Sequence, residues 1–385
     1  MSLGYRCARA GMKTVILERE DRPGGAFHSH THDGSGEGFW LELGAHTCYN
    51  SYGNLLSMIE GCGIQDQLQP RAKVPFKMIR EDRLKSIPSC INFSELLLSV
   101  PRLFRLRKEG QSVASYYGPI VGRKNFKTLF SHLFNSVLSQ ETGDFPADML
   151  FKKRSRRKDV LKSFTFRRGL QSLAGAATSQ KGLEVRFGEG VSVLRKEGRD
   201  FRVLLREGRE VRSPSVALAV PASTAASLLD ETLPDLAGEL HCIKTVRIES
   251  LGVVVEKKDL SLPPFAGAVA AEDSFYSIVS RDTVPHHRYR GFTFHFKPGR
   301  LDREGKVRRA CELLGLTENQ LVDVVEKENL LPALRVGHKE WVRRIDEKLR
   351  ETSLYLTGNY FSGVAIEDCV SRSFSEFDRL KQDRS

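Results

Sequence analysis

The sequence predicts an α/β protein, and three observations lead to this fold class. The first residues read as helix, β-strand, acid and paired glycines, an order typical of half of a βαβ nucleotide-binding unit. Short β-branched segments then recur between residues 182 and 296, as in a large mixed sheet. Apolar residues make up 40% of the chain and charged residues 28%, which is the balance of a folded globular protein. At 385 residues the chain is long enough for two or three domains.

Charge and cysteine usage narrow the class of protein. Lys and Arg number 60 against 48 Asp and Glu, so the net charge of +12 suits an anionic partner. The 7 cysteines stand singly, without a CxxC pair, which argues against a disulfide framework or a zinc site. We therefore predict no metal and a reducing, cytoplasmic location. No segment approaches the roughly 20 apolar residues of a membrane-spanning helix, so we expect a soluble protein or one bound at the inner membrane surface.

The N-terminal elements predict a nucleotide site. Residues 3–9 favour a helix, and Thr14–Leu17 is a compact β-branched run typical of a buried parallel strand. Glu18 follows this strand directly, where an acid accepts hydrogen bonds from ribose hydroxyls. Gly24 and Gly25 then mark a turn. The alternative interpretation is a solvated acid followed by an ordinary glycine turn.

The first strand of such a unit, with its Gly-x-Gly-x-x-Gly turn, would precede Gly4. The sequence starts inside the helix. We therefore expect either an N-terminally shortened sequence or a protein that has lost its phosphate-binding turn.

The segment from residue 76 to about residue 160 predicts helices and basic loops. Residues 93–106 are rich in Leu, Val and Phe, and residues 125–138 place aromatic and aliphatic side chains at helical spacing. This apolar face predicts core packing, with a channel for a large apolar ligand as the alternative.

Six of the seven residues from 152 to 158 are basic. Such a run is typical of a solvated loop, and the alternative is electrostatic contact with anionic lipid. No nucleic-acid-binding motif accompanies it, so we predict no nucleic-acid partner.

The second half of the chain predicts strands interrupted by helices. Predicted strands cover residues 182–187, 191–194, 201–205, 210–211, 215–220, 245–256, 266–270, 275–279, 291–296 and 354–356. Predicted helices cover residues 303–314, 318–327 and 366–380.

Three separated segments resemble the superfamily of FAD-dependent amine oxidases and protoporphyrinogen oxidases. They are residues 5–25 (YRCARAGMKTVILEREDRPGG), residues 163–173 (SFTFRRGLQSL) and residues 354–369 (LYLTGNYFSGVAIEDC). The last segment is the most specific, and it is most similar to protoporphyrinogen oxidases. The resemblance implies FAD as the cofactor and a discontinuous Rossmann-like FAD-binding domain with an inserted substrate domain.

The resemblance also implies a set of cofactor-binding residues. Glu18 would bind the adenosine ribose, and the backbone of Val191 would bind the adenine. The segment around His46 would lie near the isoalloxazine ring, and the start of the last helix would direct amides at flavin N1 and O2. The complete set is Glu18, Arg19, Gly24, Gly25, Gly44, Ala45, His46, Val191, Gly358, Val364, Ala365 and Ile366.

Other candidate residues have structural interpretations. A lone histidine such as His46 is more often a hydrogen-bonded structural residue than a base, so we assign no catalytic residue. Trp341 matches a tryptophan of the family, and we predict that it packs in the core. His28, His30 and His32 alternate as metal ligands can, but no acid or cysteine set accompanies them in the sequence, so we predict loop residues.

The sequence departs from the family in three places. It lacks the N-terminal glycine motif, and Glu20 and Ala26 stand where the family often has arginine. After Trp341 the chain runs directly to the last strand, so we expect a segment beside the flavin to be shortened relative to the family.

These observations predict domains and a function. Residues 1–75, 161–244 and 341–385 would form the FAD-binding domain, residues 76–160 a helical basic insert, and residues 245–340 a β-rich substrate domain. The resemblance implies hydride transfer from a large apolar or acidic small molecule, such as a porphyrinogen, to FAD. The alternatives are a carotenoid desaturase or amine oxidase on the same scaffold, and a flavoprotein relative without catalysis.

Overall fold

The computed structural model describes residues 1–32, 38–350 and 352–384. The strands are β1 (Thr14–Leu17), β2 (Ser29–His32), β3 (Phe39–Glu42), β4 (Cys48–Tyr49), β5 (Leu68–Pro70), β6 (Phe76–Arg80), β7 (Arg83–Ser86), β8 (Ser163–Phe166), β9 (Leu183–Arg186), β10 (Val191–Glu197), β11 (Asp200–Leu205), β12 (Glu210–Ser213), β13 (Val216–Leu218), β14 (Lys244–Glu256), β15 (Gly267–Ala270), β16 (Phe275–Ser280), β17 (Tyr289–Phe296), β18 (Leu321–Ala333) and β19 (Leu354–Leu356). The helices are α1 (Ser2–Arg9), α2 (Gly53–Gly61), α3 (Phe93–Ser99), α4 (Val113–Val121), α5 (Arg123–Asn125), α6 (Ser131–Leu138), α7 (Gln171–Thr178), α8 (Ala222–Leu229), α9 (Pro234–His241), α10 (Arg303–Leu314), α11 (His338–Leu349) and α12 (Ile366–Gln382). The predicted α/β class is confirmed.

Two parallel strand pairs join distant parts of the chain. Strand β1 pairs with β9 from Thr14 opposite Leu183 to Leu17 opposite Arg186. Strand β13 pairs in parallel with β19 near the C-terminus. Since the first pair joins the beginning of the chain to its middle and the second joins the middle to the end, three distant segments share one body. The domain boundaries themselves remain a prediction.

Helix α1 connects the first segment to the last. Leu3 and Cys7 on one face of α1 pack in a buried cluster with Tyr355 of β19 and with Phe377 and Leu380 of α12. The apolar residues of α1 therefore pack against elements at the opposite end of the sequence.

A seven-stranded sheet has the order β18-β14-β17-β16-β15-β6-β7. Its neighbours are antiparallel except for β15 and β6, which run parallel. One face carries an aromatic core that includes Phe275, Phe292, Phe294 and Phe296. Helix α10 covers this core with Val307, Ala310 and Leu314, in the range that the sequence predicted.

Two predictions of secondary structure were wrong. The helix predicted for residues 318–327 is a 3-10 turn and the start of β18, which pairs with β14 from Leu321 to Ala333. Its charged residues suit a helix locally, but the long strand β14 offers a complete ladder of backbone partners. The helices and loops predicted from residue 76 begin instead with a hairpin of β6 and β7, which extends the large sheet.

The helical segment that follows is built from short pieces. Helix α3 ends at Ser99, and a 3-10 helix follows from Val100 to Phe104 because Pro101 cannot donate an amide to a continuing α-helix. Between α5 and α6, residues Phe126–Phe130 form a π-helical turn. Leu129 and Phe134 are buried, as the predicted core packing requires, and Phe126 and Phe130 are partly buried. Among the described residues, no helix is long and apolar enough to cross a membrane.

Candidate active site

The predicted adenine and ribose residues lie at one strand end. The amide of Glu189 donates to the carbonyl of Glu18 at 2.9 Å, so the turn after β9 is fastened to the end of β1. Glu18 Oε1 accepts the Glu20 amide at 3.0 Å. Val191 begins β10 beside this turn and packs against the same core cluster as Leu17. Arg19 is exposed next to Gly190.

The two predicted glycine segments contact each other directly. Gly24 and Gly25 have φ values of +118° and +57°, a region that L side chains rarely adopt. The amide of Ala45 donates to the Ala26 carbonyl at 3.1 Å, and a Cβ on Gly44 would lie 2.3 Å from that same oxygen. Only glycine therefore permits this approach of the backbone at residue 44 to the turn.

His46 lies inside a buried polar group. Its Nδ1 is 3.3 Å from the Gly44 carbonyl oxygen, and burial, with a smaller contribution from the charge of Arg71, lowers its pKa to about 4. His295 on β17 is a close neighbour, with its pKa lowered to about 3 mainly by burial. The Nδ1 of His295 is 3.0 Å from Ser250 Oγ. His46 is thus neutral at pH 7 and hydrogen-bonded to its own loop.

The start of α12 lies between the 44–46 segment and the helical segment. Ile366 packs against the cluster that also receives Ala45, and Val364 packs against the cluster of α4 and α6. Gly358 follows β19, where a Cβ would lie 2.7 Å from the ring of Tyr360. Ala45 and Ile366, which share a cluster, therefore join predicted flavin residues of the first and last segments, whereas the contacts given for Gly358 and Val364 are with other parts of the chain.

The acids of the first turn of α12 are engaged by groups outside that helix. Glu367 accepts the amides of Asn54 and Leu55 at 2.9 and 3.0 Å, which caps the start of α2. Asp368 accepts Lys152 Nζ at 3.0 Å and Arg154 Nη2 at 2.7 Å. Three of the basic residues between 152 and 158 are therefore committed to ion pairs, since Arg157 also pairs with Glu60 and Asp159.

The residues present fit a flavin. Gly24 and Gly44 pack closely on the carbonyls of Phe27 and Ala26, where a Cβ would lie at 2.6 and 2.3 Å, and Gly25 has open space beside it. The acid at Glu18 follows β1 directly, and α12 begins with amides that a helix leaves free for an anionic group. Together these elements match the needs of a ribose, a close backbone contact and a ring that gains negative charge on reduction.

Lys327 is a site residue that sequence analysis missed. Its Nζ donates to the Gly25 carbonyl, and burial lowers its pKa to about 8. Nearby, Asn329 Nδ2 donates to the Leu43 carbonyl at 2.8 Å, so β18 contacts both glycine segments. The predicted helix over residues 318–327 hid this arrangement.

Two partly buried arginines beside His46 were also missed. Arg71 donates to Thr47 Oγ1 and, at 3.3 Å, to Thr283 Oγ1, which links the 44–47 segment to the large sheet. Arg281 donates to the Trp40 carbonyl at 2.9 Å and stacks 4.1 Å from the centre of its ring. Burial lowers the pKa of Arg281 to about 10, so it remains charged at pH 7.

These arginines face a small cavity between the 40–46 segment and the sheet. His46, Glu42 and Thr293 share its lining with them. Arg281 Nη1 is buried without a hydrogen-bond partner, and no carboxylate of the described residues lies within 4.0 Å of either guanidinium. Nothing in the local sequence marks Arg71 or Arg281, since each lies in a short connection that only the tertiary fold brings to this cavity.

The structure also shows where the other candidate residues lie. Trp341 is buried and donates Nε1 to the Glu239 carbonyl at 2.9 Å, which confirms its packing role. The loop predicted around His30 and His32 was wrong, because both residues lie in β2, which pairs with β3. A partner acid does exist, since Asp323 Oδ2 lies 2.8 Å from His30 Nε2 and 3.3 Å from His32 Nδ1.

Comparison with known proteins identifies the family and the fold. Residues 1–254 match the family described as flavin containing amine oxidoreductase, which is more than half of the chain. Three solved structures share the fold across nearly all of both chains, at sequence identities too low to indicate more than the fold.

The first is a "putative protoporphyrinogen oxidase" from Exiguobacterium sp. 255-15, with 18% identity, a TM-score of 0.78, and coverage of 99% of this chain and 96% of that one. A CLA-producing fatty acid isomerase from P. acnes has 13% identity and a TM-score of 0.73, covering 99% and 95%. Cyclohexylamine oxidase from Brevibacterium oxydans has 11% identity and a TM-score of 0.71, covering 100% and 97%. The family match over residues 1–254 identifies the chain as a member of the flavin-containing amine oxidoreductases, and thus as an FAD-dependent oxidoreductase.

Proposed function

We propose that this oxidoreductase oxidises a large, flat small molecule that carries carboxylates, such as a porphyrinogen, by hydride transfer to FAD. The observation that carries the proposal is the pair of partly buried arginines, Arg71 and Arg281, beside His46. The acid that lines the same cavity, Glu42, has its pKa raised by burial to about 7 and forms no ion pair with either arginine, so an anionic ligand that reaches them is favoured.

The size of the cavity indicates which part of the substrate it takes. It measures only about 20 Å³, enough for about one water molecule, and is lined by the arginines, Glu42, Thr165 and Thr293, so we propose that it receives only the tip of a carboxylate-bearing arm. Arg281 Nη1 has no partner and is the donor that such a carboxylate would satisfy. The apolar body of the substrate would remain outside the cavity, on the side of the flavin.

We propose that the predicted cofactor residues hold FAD as the sequence suggests. Glu18 and the backbone of Val191 would bind the adenosine, with Arg19 at the exposed rim. Gly24, Gly25, Gly44 and Ala45 would contact the cofactor through backbone, and Gly358 and residues 364–366 would hold its ring end. When bound, FAD supplies the acceptor for a hydride. The protein's contribution is to orient the substrate and to stabilise the charge of the reduced ring with the amides that begin α12.

The environment of His46 suits a residue that positions the substrate or cofactor rather than one that transfers a proton. Its neutral imidazole is held by the Gly44 carbonyl, and its pKa of about 4 makes it a weak base. We therefore propose no catalytic base for the proton that leaves the substrate with the hydride.

The charge of the cavity weighs against the alternative substrates on this scaffold. A protonated amine would be repelled by two partly buried guanidinium groups. A carotenoid, which is a neutral hydrocarbon, would leave Arg281 Nη1 without a partner. For the location we retain the cytoplasm, because all seven cysteines are free thiols, as a reducing compartment keeps them.

The test is to add candidate substrates to the purified holoenzyme without oxygen. Reduction of the flavin is measured as the loss of its visible absorbance. We expect an acidic porphyrinogen to bleach the flavin, and its methyl ester to do so with a KM at least about tenfold higher, because the charge-assisted pairing is lost. Bleaching by cyclic or aliphatic amines but not by the porphyrinogen would reject the proposal.

Substitution of Arg281 gives a sharper measurement. We expect Arg281→Met to raise KM for the acid by about 10- to 100-fold and to leave KM for the ester nearly unchanged. Arg281→Lys, which keeps the charge, should recover part of the loss. The control is Arg195→Met, because Arg195 is exposed and pairs only with Glu231 on the surface. Equal effects of Arg281→Met on acid and ester would show that the residue only supports packing on Trp40.

A further inference from the structure

The segment from α3 to the following 3-10 helix presents an unusual apolar surface to solvent. Leu97, Leu98 and Phe104 are 75%, 80% and 87% exposed. We define the α3 surface by its exposed apolar residues, which are Phe93, Leu97, Leu98, Val100, Leu103 and Phe104. Single exposed apolar residues are common, but six within twelve positions form a patch that marks a contact surface.

This surface is held rigidly from behind. Asn92 caps α3 by accepting the Glu95 amide at 3.1 Å, and the buried Asn125 accepts the Asn92 amide at 2.8 Å. The Glu95 carboxylate accepts the amides of Lys124 and Asn125, each at 2.8 Å. The only acid on α3 is therefore turned inward, away from the apolar residues.

The exposed leucines of α3 are not the residues that pack this helix against the protein. Leu96 already packs inward against the cluster of Tyr116, Ile120 and Val121. Helix α3 thus has one apolar contact with the protein, and a second apolar face that no described residue covers.

Basic residues surround the α3 surface. Arg102 and Arg105 flank its last leucine and phenylalanine along the chain, and Arg107 follows two residues later. Arg123 and Lys124 are exposed on α5, whose first amides are bound by Glu95. None of these five side chains forms an ion pair with a described acid. Arg102 donates to Ser99 Oγ and the Pro119 carbonyl, and the charges of the other four remain available.

We propose that the α3 surface docks on an anionic lipid bilayer, with its leucines and phenylalanines in the interface and its arginines and lysines at the head groups. This combination of an exposed apolar ridge and a basic rim is what interfacial segments require. A second copy of the chain fits less well, because a two-fold interface would place the basic rim against itself.

The basic run at 152–158 is the competing lipid site. Lys152, Arg154 and Arg157 are paired with acids there, which leaves only Lys153, Arg156 and Lys158 exposed. That run also lacks an exposed apolar ridge of comparable size. The docking proposal depends on this geometry alone and not on the proposed substrate, so either can fail without the other.

The test is flotation of the holoenzyme with vesicles of phosphatidylcholine and phosphatidylserine, and with vesicles of phosphatidylcholine alone. We expect binding to the anionic vesicles, and a loss of more than about tenfold for the variant Leu97→Ser, Leu98→Ser, Phe104→Ser, since apolar area drives insertion. The control is Phe187→Ser with Val336→Ser, which alters exposed apolar residues elsewhere and should bind normally. Flavin content and the unfolding midpoint should be unchanged in all variants.

Charge reversal separates the two basic regions. We expect Arg105→Glu with Arg107→Glu to weaken binding to anionic vesicles by at least about tenfold, and Lys153→Glu with Arg156→Glu to have little effect. The opposite ranking would overturn the proposal in favour of the basic run. Absence of vesicle binding by the unaltered protein would overturn it as well. The proposal would also fail if the unaltered protein were a dimer and the triple serine variant a monomer.

Discussion

Glu42 lies inside the protein, between the hairpin of β2 and β3 and the start of α7. Its Oε1 accepts the Leu170 amide at 2.7 Å and its Oε2 accepts Ser29 Oγ at 2.8 Å. Burial raises its pKa to about 7, although these hydrogen bonds and the charge of Arg281 act in the other direction. At neutral pH this carboxyl group is therefore close to half-protonated, two residues from the predicted flavin segment.

We expect Glu42→Gln to change the pH dependence of stability. The pKa of Glu42 rises from 4.5 in the unfolded chain to about 7 in the folded protein. Stability from this group is therefore fully present below pH 4.5 and is lost as the pH rises through 7. Relative to the Gln variant, the unaltered protein should lose about 3 kcal/mol of unfolding free energy across that window. Urea unfolding of both proteins at several pH values measures this difference.

The control is Glu347→Gln, because Glu347 is exposed on α11. A difference between the Glu42 variant and the unaltered protein that stays constant with pH would mean that folding leaves the pKa of Glu42 unchanged.

Single residues with local signals could be predicted, and those without such signals could not. Glu18 follows a strand and Gly24 begins a glycine pair, so each has a marker in its own neighbourhood. Arg71 and Arg281 have none. They are 210 positions apart in sequence, and they acquire their common cavity only when the connection before β6 and the connection before β17 meet the 40–46 segment.

At the scale of elements, the glycine turn and the segment after β3 form one unit. The Ala26 carbonyl binds the Ala45 amide, and the absence of a side chain at residue 44 allows this contact. Strand β18 then fixes both pieces through Lys327 and Asn329. The surface that we propose to face the flavin therefore depends on backbone geometry more than on any one side chain.

Gly44→Ala tests this dependence. The added Cβ would lie 2.3 Å from the Ala26 carbonyl oxygen, so the backbone must move. We expect a loss of about 2–3 kcal/mol of stability, as for overpacking of a rigid site, and a weaker affinity for FAD. Flavin release on dilution and urea unfolding measure the two effects.

Gly238→Ala provides the matched control. Gly238 lies in α9, and its added Cβ would have no atom within 4 Å. This variant should be more stable by roughly 0.5–1 kcal/mol, since alanine favours a helix. Normal flavin retention in Gly44→Ala would contradict our assignment of this segment to the cofactor.

Elements with strong local patterns were predicted well, whereas edge strands were not. β1 and α10 occur where the sequence predicted them, because a β-branched run and a capped amphipathic helix are specified by their own residues. β18 was predicted as a helix because Asp323, Glu326 and Lys327 interrupt its apolar pattern. Its strand conformation comes from pairing with β14, which is distant in sequence.

At the scale of the whole molecule, contacts across long sequence separations hold the helical segment to the last part of the chain. Asp368 in the first turn of α12 is the clearest of them, because it binds Lys152 and Arg154, which lie more than 200 residues earlier. The position of Asp368 also favours glycine at residue 363, since a Cβ there would lie 2.9 Å from Asp368 Oδ2. A basic run that looks solvated in the sequence therefore connects two parts of the chain, a role that no local pattern can reveal.

Asp368→Asn should weaken this connection. The substitution keeps the shape of the side chain but leaves two partly buried cations without their counter-charge, which is more unfavourable than the loss of an exposed pair. We expect a loss of about 2–4 kcal/mol of unfolding free energy and faster protease cleavage within residues 152–158. Lys153→Gln is the control, because Lys153 is exposed in the same run and should change stability by less than about 0.5 kcal/mol. If the Asp368 variant is as stable as this control, the contact between the basic run and α12 is incidental, and the helical segment must be held in place by apolar packing around Val364 instead.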